Sequence, residues 1–355
     1  MRRIYRLLLE RILELFPDKK TDIVYHYTSI DTFWKLTKPD GDFKCTYFES
    51  LSDGKEFYAG VKRLTDFWRS HGGSPKVVKE GLLFQMLDGK VGDESKCGGN
   101  LRPWTMSFSA AVDNTIMWQC YTDRQAGGYA IGFDCEALID KIESYQYMAN
   151  SSWTLLTFLP CIYVAVDDIP HCESGKLSEC DRLGTDDDVK VQKLINYVLD
   201  DLAKELEKVL MSKDDNRNTH EKVKVANTTR VILEMTLASI FKHKDFSHEK
   251  EWRLVTQPID MAGLLSDDNS DECPIGYVGN KWRIATGVFG RSEKMFSDDF
   301  SSTGTKSVSL IDFIRDIVVS PHGESQMLFQ IVSSRLKARQ CNVTPRLSAS
   351  TYKGL

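Results

Sequence analysis

Long apolar runs and paired cysteine motifs are both missing from this sequence. No window approaches about 18 uninterrupted apolar residues, so we expect no membrane span. The nine cysteines include no Cys-X-X-Cys pair and are odd in number, which argues against a closed disulfide framework and favours reduced thiols in a cytoplasm. His171, Cys172 and Cys180 lack zinc spacing, and we expect no metal site.

Excess positive charge is missing as well. The chain has 46 Lys and Arg against 51 Asp and Glu, and its net charge of -5 lacks the overall basic character of nucleic-acid-binding proteins. The segment 304–307, Gly-Thr-Lys-Ser, lacks the glycine-spaced first half of a phosphate-binding loop. A local basic groove is left open, although Lys242, Lys244, Arg253 and Arg283 are too sparse to establish one.

The sequence has enough hydrophobic residues to form the core of one large domain. Of the 355 residues, 41% are hydrophobic, and we expect residues 21–355 to form a single domain. Residues 1–20 are expected to form an amphipathic helix that ends at Pro17. Its apolar residues recur at helical spacing: Ile4, Leu7, Leu8, Ile12 and Leu15. This face could dock on the chain's own core, on a partner or on a membrane surface.

Short β-prone runs alternate with helical patterns and predict an α+β fold. The predicted strands cover residues 22–28, 43–48, 104–109, 129–134, 161–166, 246–255, 282–290, 311–319 and 342–345. The predicted helices cover residues 32–36, 55–70, 76–86 and 324–337, with another capped by Asp113 and Asn114. Residues 186–245 read as a helical hairpin inserted into a strand-rich fold, its second helix spanning about 220–241.

Two glutamates near a predicted strand entrance form the most notable concentration of charge. On an extended backbone Glu249 and Glu251 point to one face, while Lys250 and Trp252 point to the other. Two carboxylates on one face could hold a hydroxyl and stabilise a developing cation, provided that a pocket covers them. The alternative is a solvated charged edge. Glu56 is interpreted as a charge near a helix N-terminus.

Two further polar groups lie on predicted strands. His26 and Tyr27 lie at the end of the first strand, where Thr28 or Ser29 turns the chain into a helix. A polar cluster at such a junction can face a ligand crevice, or it can be a core histidine beside a capping hydroxyl. Alternation over 104–109 places Ser107 and Ser109 on one face, which could also be the outer face of an edge strand.

Together these motifs, in this order, resemble a bacterial family catalogued as domain of unknown function twenty-nine seventy-one. They are Tyr25-His26-Tyr27-Thr28, Ser107-Phe108-Ser109, Met117-Trp118 with Tyr121, the strand 128–134, and 249–254, Glu-Lys-Glu-Trp-Arg-Leu. The resemblance covers about residues 23–352, with the helical hairpin as the least matched part. That family is in turn similar to the ADP-ribosyltransferase superfamily, which implies a split, mostly antiparallel sheet surrounded by helices.

The resemblance also implies residue roles. His26 would hydrogen-bond an NAD ribose, flanked by Tyr27 and Thr28, and Ser107 or Ser109 would support the site. Glu251 would be the catalytic glutamate and Glu249 the upstream acid that contacts an acceptor. The pairing of a first-strand His with Glu-X-Glu departs from the superfamily, in which Arg usually accompanies Glu-X-Glu.

The residue types suit cleavage of the nicotinamide glycosidic bond. That reaction develops positive charge on the ribose, which a fixed carboxylate such as Glu251 would stabilise. Tyr27 or Trp118 could cover a flat ring. The resemblance therefore implies NAD as substrate and transfer of ADP-ribose to an unidentified macromolecule, in a toxin or phage-defence effector with an antitoxin or defence-system partner. The alternatives are NAD hydrolysis and a non-catalytic binding module.

Overall fold

The structure is a computed structural model of the full chain. It describes residues 2–39, 41–48, 103–148, 154–164, 186–202, 233–258, 275–278, 281–285 and 309–350, and the single helical positions 56, 57, 60, 61, 64, 204, 205 and 208. The predicted helix at 76–86, the loops around it, the segment with His171, Cys172 and Cys180, and most of the hairpin's centre lie outside the described residues.

The described part combines helices with twelve strands. The labelled helices are α1 (Arg2–Leu15), α2 (Ile30–Leu36), α3 (Thr115–Tyr121), α4 (Cys135–Met148), α5 (Asp186–Asn196) and α6 (Ser325–Ala338). The strands are β1 (Ile23–Ser29), β2 (Lys44–Tyr47), β3 (Trp104–Ser109), β4 (Gly128–Asp134), β5 (Thr154–Pro160), β6 (Ile162–Val164), β7 (Phe241–His243), β8 (Glu251–Pro258), β9 (Ile275–Val278), β10 (Lys281–Ala285), β11 (Ile314–Val319) and β12 (Arg346–Leu347). Short 3₁₀ or π turns cover Pro17–Lys19, Tyr197–Leu202, Lys244–Glu249 and Leu310–Phe313.

Ten of the strands form one sheet that forks at β3. Strand β8 pairs with one edge of β3 from Ser109 to Trp104, and β5 pairs with the far edge of β8. The other edge of β3 is shared, because β1 pairs with it at Ser109 while β2 pairs with it at Thr105 and Trp104. One arm continues through β1, β4, β11 and β12, and the other through β2, β10 and β9.

The predicted α+β class with a mostly antiparallel sheet is confirmed. Within the ten-stranded sheet only the β11–β12 pairing is parallel. Strands β6 and β7 form a separate parallel pair. The relation of this sheet to the ADP-ribosyltransferase fold stays a prediction.

The N-terminal helix docks on the chain's own core. Leu8, Leu9 and Ile12 are buried in the same apolar cluster as the sheet residues Val24 and Phe108. Of the three surfaces that its apolar face could have met, the core is therefore the one it occupies. Burial of several large aliphatic side chains stabilises this packing by roughly 1.5–3 kcal/mol each.

The helical segment after residue 186 joins that core as well. Val191, Leu194 and Ile195 of α5 and Leu237 in the helical residues 233–240 are fully buried in it. The described ends of the expected insertion therefore pack as part of the main body. The second helix was predicted to reach residue 241, but it ends at Ile240, because Phe241 starts strand β7 and pairs with Ile162.

Three predicted strands differ from the structure. The strand predicted at 311–319 starts only at Ile314, because Leu310–Phe313 form a 3₁₀ turn. The closing strand was predicted at residues 342–345, whereas the pairing with β11 lies at Arg346 and Leu347. The strand predicted at 246–255 starts only at Glu251, because residues Lys244–Glu249 form a 3₁₀ turn. Lys250 between them adopts a left-handed conformation with φ 43°, so Glu249 and Glu251 do not share an extended backbone.

Candidate functional site

Glu251 is held at the start of β8 by hydrogen bonds on both sides of its backbone. Its N–H donates to the Tyr163 hydroxyl at 2.7 Å, and its carbonyl accepts from the N–H of Cys161 at 2.8 Å. In β3 its register partner is Ser109. Glu251, which the sequence analysis predicted to be catalytic, therefore lies where β8 meets both β3 and the start of β6.

The side chain of Glu251 belongs to a buried group of five charged residues, which we call the ionic cluster. Its members are Glu56, Lys242, Glu249, Glu251 and Arg253, and the accessible fraction of each side chain is between 3% and 9%. A solvated charged edge, the alternative interpretation of the two glutamates, is therefore wrong. Charges buried to this extent must be paired, because desolvation of an isolated ion costs several kcal/mol.

The ammonium of Lys242 is the centre of the cluster. Its Nζ lies 2.6 Å from Glu251 Oε2, 2.8 Å from Glu249 Oε2 and 3.2 Å from Glu56 Oε1. An ammonium has three N–H donors, so three carboxylates match its hydrogen-bonding capacity. Burial opposes the charged form, but the nearby carboxylates, Glu251 foremost, raise the pKa of Lys242 above its ordinary value.

Arg253 connects Glu251 to the rest of the cluster. Its Nε donates to Glu251 Oε1 at 2.8 Å and its Nη2 to Glu251 Oε2 at 3.2 Å. Nη2 also donates to Glu56 Oε2, and Nη1 donates to the carbonyl of Ser239 at 2.7 Å. The planar guanidinium therefore fixes both oxygens of Glu251 in one orientation.

These two cations keep Glu251 ionised. Burial alone would raise the pKa of Glu251, but the charges and hydrogen bonds of Arg253 and Lys242 outweigh burial and lower it to about 2. The cluster thus holds a carboxylate in its charged form at neutral pH in surroundings from which water is largely excluded. In such surroundings a fixed charge acts on its neighbours more strongly than it would in water.

The two candidate serines differ in their surroundings. Ser109 is fully buried, and its hydroxyl donates to the carbonyl of Glu249 at 2.5 Å while accepting from the N–H of Ala111 at 3.0 Å. Ser107 is half-buried and pairs in register with Arg253. Ser109 therefore fixes the backbone of Glu249. The supporting role that the resemblance implied for a serine stays a prediction.

His26 lies on the other face of the sheet. Tyr25, Ser109 and Glu251 are register partners across β1, β3 and β8, so their side chains share one face. His26 follows Tyr25 and points to the opposite face, where its ring lies 5.6 Å from that of Phe108. Its Nδ1 is 3.1 Å from the Ser107 carbonyl, so the side chain bridges the fork between β1 and β3.

Tyr27 and Trp118 form a buried aromatic pair beneath α3, with ring centroids 4.8 Å apart. The Tyr27 hydroxyl donates to the Ala111 carbonyl and accepts from the Asn114 N–H, and the Trp118 indole donates to Asp113. Thr28 is buried too. These contacts anchor the helix that borders the cluster, and the described conformation leaves neither ring open to a ligand.

The C-terminal end of α3 carries two exposed side chains on which the charges of the cluster act. Tyr121 exposes 40% of its surface, and Cys120 is exposed as well. Partial burial, followed by the charges of Glu249 and Glu251, raises the pKa of Tyr121. Partial burial and the charge of Glu249 raise that of Cys120.

Sequence reasoning missed most of the cluster's partners. Lys242 and Arg253 were noted only as scattered basic residues, Glu56 as a charge near a helix N-terminus, and Tyr163 not at all. Lys242 offered one signal, because a lysine directly after the apolar pair Ile240-Phe241 is a buried charge that needs partners.

No group of three or more His, Cys, Asp or Glu suited to a metal ion occurs among the described residues. Over the same part of the chain, no helix has the length and apolar character needed to cross a membrane.

The fold and the cluster define a class: an α+β protein with a forked, mostly antiparallel sheet and a buried ionic cluster at its junction. Residues 117–254 match a family described as protein of unknown function (DUF2971). The match includes β7, the two glutamates and the helical segment that was expected to match least. It leaves out His26, Ser107 and Ser109, and so is shorter than the expected span of 23–352. No curated protein and no solved structure matches the chain.

Proposed function

We propose that this protein is an ADP-ribosyltransferase-like enzyme that cleaves NAD at the nicotinamide glycosidic bond and transfers ADP-ribose to a macromolecule. The observation that carries the proposal is the ionised, immobilised Glu251 beside a second acid, Glu249, at the junction of β1, β3 and β8. The acceptor in this proposal is a protein or a nucleic acid.

The charge of the cluster supports this chemistry. With all five side chains ionised, three carboxylates face two cations, so the cluster carries one excess negative charge. Loss of nicotinamide neutralises the pyridinium ring and develops positive charge on the ribose. A fixed anionic site stabilises that charge in the transition state without reorganising.

The order of the strands supports the proposal as well. His26, Ser109 and Glu251 lie on β1, β3 and β8 in that order, and β3 pairs with both of the other strands. Ser109 then links the motifs physically, because it holds the Glu249 carbonyl from the neighbouring strand. His26 fits less simply, since it lies on the opposite face and reaches only the fork between the strands.

A second candidate function is ligand binding without turnover. It is favoured by the side chain of Glu251, because both of its oxygens are bound to Lys242 or Arg253. A carboxylate bound in this way interacts with a substrate only through its charge or after a rearrangement. NAD hydrolysis is the third candidate and would use the same residues with water as the acceptor.

Incubation with NAD labelled in its ADP-ribose part tests these candidates. The purified protein is incubated with the label alone and with bacterial lysate, and products are separated into macromolecules, free ADP-ribose and intact NAD. Label on macromolecules supports the proposal, free ADP-ribose alone supports hydrolysis, and intact NAD in both arms contradicts any enzymatic function.

The variant Glu251→Gln assigns the reaction to the cluster. We expect loss of labelled product, because the neutral amide cannot stabilise developing positive charge. The matched control is Glu14→Gln, which changes an exposed glutamate on α1 that pairs with its neighbour Arg11. Full activity of Glu251→Gln would contradict the assignment.

A further inference from the structure

Two buried hydroxyl groups without a hydrogen-bond partner belong to residues that line the same cavity. They are Oη of Tyr5 on α1 and Oγ1 of Thr157 on β5, and neither atom bonds to any residue that the structure describes. Tyr5 is 5% exposed and Thr157 is 2% exposed. Buried hydroxyls in folded proteins are nearly always hydrogen-bonded, and burying one without a partner is unfavourable. Two such groups at one cavity therefore point to a ligand that bonds to both.

The cavity lies between α1, α4 and β5, a strand that pairs only with β8 among the described strands. Tyr5 and Leu9 are one helical turn apart and so lie on one face of α1. The other lining residues are Ile139, Ile142 and Glu143 on α4 and Leu156, Phe158 and Leu159 on β5. All of the lining residues are buried, so the cavity is part of the interior.

Arg6 connects α1 to α4 beside the cavity. It follows Tyr5 in the chain, and its side chain is 30% accessible, so it lies on the solvent side of this interface. Its Nη2 lies 2.8 Å from Glu136 Oε1 and 3.1 Å from Asp140 Oδ1. Its Nε lies 3.5 Å from Oε1 of Glu143, which lines the cavity. These ion pairs hold the two helices together and help to orient Glu143.

The size of the cavity suits a single water molecule. The volume open to the centre of a water molecule is about 20 Å³. One internal water needs about 10–15 Å³ by this measure, together with two to four polar partners. Both hydroxyls can donate or accept, and burial raises the pKa of Tyr5, so its hydroxyl keeps the proton that it donates. An organic ligand of several heavy atoms does not fit into this volume.

We propose that this cavity is a binding site for one internal water molecule that bridges Tyr5 and Thr157. The water accepts a hydrogen bond from the Tyr5 hydroxyl and donates one to Thr157 Oγ1, and its second hydrogen is available to the carboxylate of Glu143. It thereby joins α1 and α4 to β5, the strand that pairs with β8. No residue of the ionic cluster lines the cavity, and the inference does not rest on the proposed function.

Stability measurements distinguish a bound water from two hydroxyls in a dry cavity. Tyr5→Phe and Thr157→Val each remove one hydroxyl and nearly conserve the shape of the side chain. With the water bound, each variant loses one hydrogen bond, and we expect the equilibrium constant for unfolding to rise roughly fivefold. In a dry cavity each variant removes an unpartnered polar group, so the constant would fall or stay the same. Urea unfolding at pH 7 measures this constant.

The double variant tests whether one water serves both hydroxyls. Residues that share a partner are coupled, so the increase for Tyr5→Phe with Thr157→Val should stay well below the roughly 25-fold expected for two independent bonds. Tyr121→Phe is the control for removal of a tyrosine hydroxyl, because Tyr121 is 40% exposed and lies on α3, outside this cavity. We expect it to unfold like the wild type.

A high-resolution crystal structure of the wild-type protein locates the water directly, even if a variant fails to fold. We expect one peak of electron density within about 3 Å of both Tyr5 Oη and Thr157 Oγ1, and its absence in the double variant. The inference is overturned by a wild-type cavity without such a peak, or by density that fits only a larger molecule. Higher stability of either single variant, or losses that add fully in the double variant, would overturn it as well.

Discussion

Replacement of Lys242 by methionine is the sharpest perturbation of the ionic cluster. Methionine keeps an unbranched side chain of similar length and removes the ammonium that contacts all three carboxylates, at 2.6, 2.8 and 3.2 Å. The three acids are then left with one cation, Arg253. Removal of one partner from a buried ion pair costs about 3–5 kcal/mol, because the remaining charge stays desolvated. We therefore expect the free energy of unfolding of Lys242→Met to fall by about that amount at pH 7.

The pH dependence of this loss follows from the charges. Without the ammonium, three buried carboxylates face only the guanidinium of Arg253, and protonation relieves the repulsion between them. The folded state then gains protons as the pH falls, and the stability deficit of Lys242→Met should shrink below neutral pH. For the wild type we expect the free energy of unfolding to fall at acid pH, because the stabilisation by ionised Glu251 is lost there.

Urea unfolding between pH 4 and 8 measures both effects. The variant Lys35→Met is the control, because Lys35 forms an exposed pair with Asp31 and its loss should change stability little. The double variant Lys242→Met with Glu249→Gln should recover part of the loss, since one of the three acids becomes neutral. A Lys242→Met protein within about 1 kcal/mol of the wild type at pH 7 would refute the ion-pairing argument, because buried partners lose more than that.

Three further predictions concern the same region. Lys250→Gly should leave stability unchanged or raise it by about 1 kcal/mol, because glycine adopts φ 43° without steric cost, whereas Lys250→Val should lower stability; thermal unfolding compares the two. Tyr163→Phe leaves the Glu251 N–H without its acceptor, and we expect a loss of about 1–3 kcal/mol in urea unfolding and faster exchange of that amide hydrogen. Glu251 has a folded-state pKa of about 2, below its ordinary value of 4.5. The stability that ionised Glu251 gives the folded protein is therefore complete above pH 4.5 and lost as the pH falls towards 2. The shift corresponds to about 3 kcal/mol, and Glu251→Gln should abolish this part of the acid dependence in urea unfolding.

Elements with strong local signals were predictable from the sequence. Alternation of large and small side chains placed β3 correctly at residues 104–109, and Gly128 marks the start of β4. Asn114 caps α3 as predicted, since its side chain accepts from the N–H groups of Ile116 and Met117. Each of these signals arises within a few residues of the chain, and local preferences govern such features directly.

The ionic cluster could not be predicted in the same way. Lys242 contacts Glu56, which is far away in the sequence. The helical residues that carry Glu56 lie against the helical residues 233–240, because Gly60 closely approaches the backbone of Ala238. The separation of the two glutamates depends on the left-handed Lys250, a conformation that lysine rarely adopts and that no sequence pattern indicated. The sequence identified both acids, but their surroundings depend on tertiary packing.

Release of nicotinamide from NAD labelled in the nicotinamide ring tests the central claim most directly. Both transfer and hydrolysis release this product, so the measurement does not depend on knowing the acceptor. We predict release by the wild-type protein and by Glu14→Gln, and loss of release in Glu249→Gln and Glu251→Gln variants that remain folded. Absence of release by the wild-type protein in the presence of lysate, or full release by both cluster variants, would contradict the account.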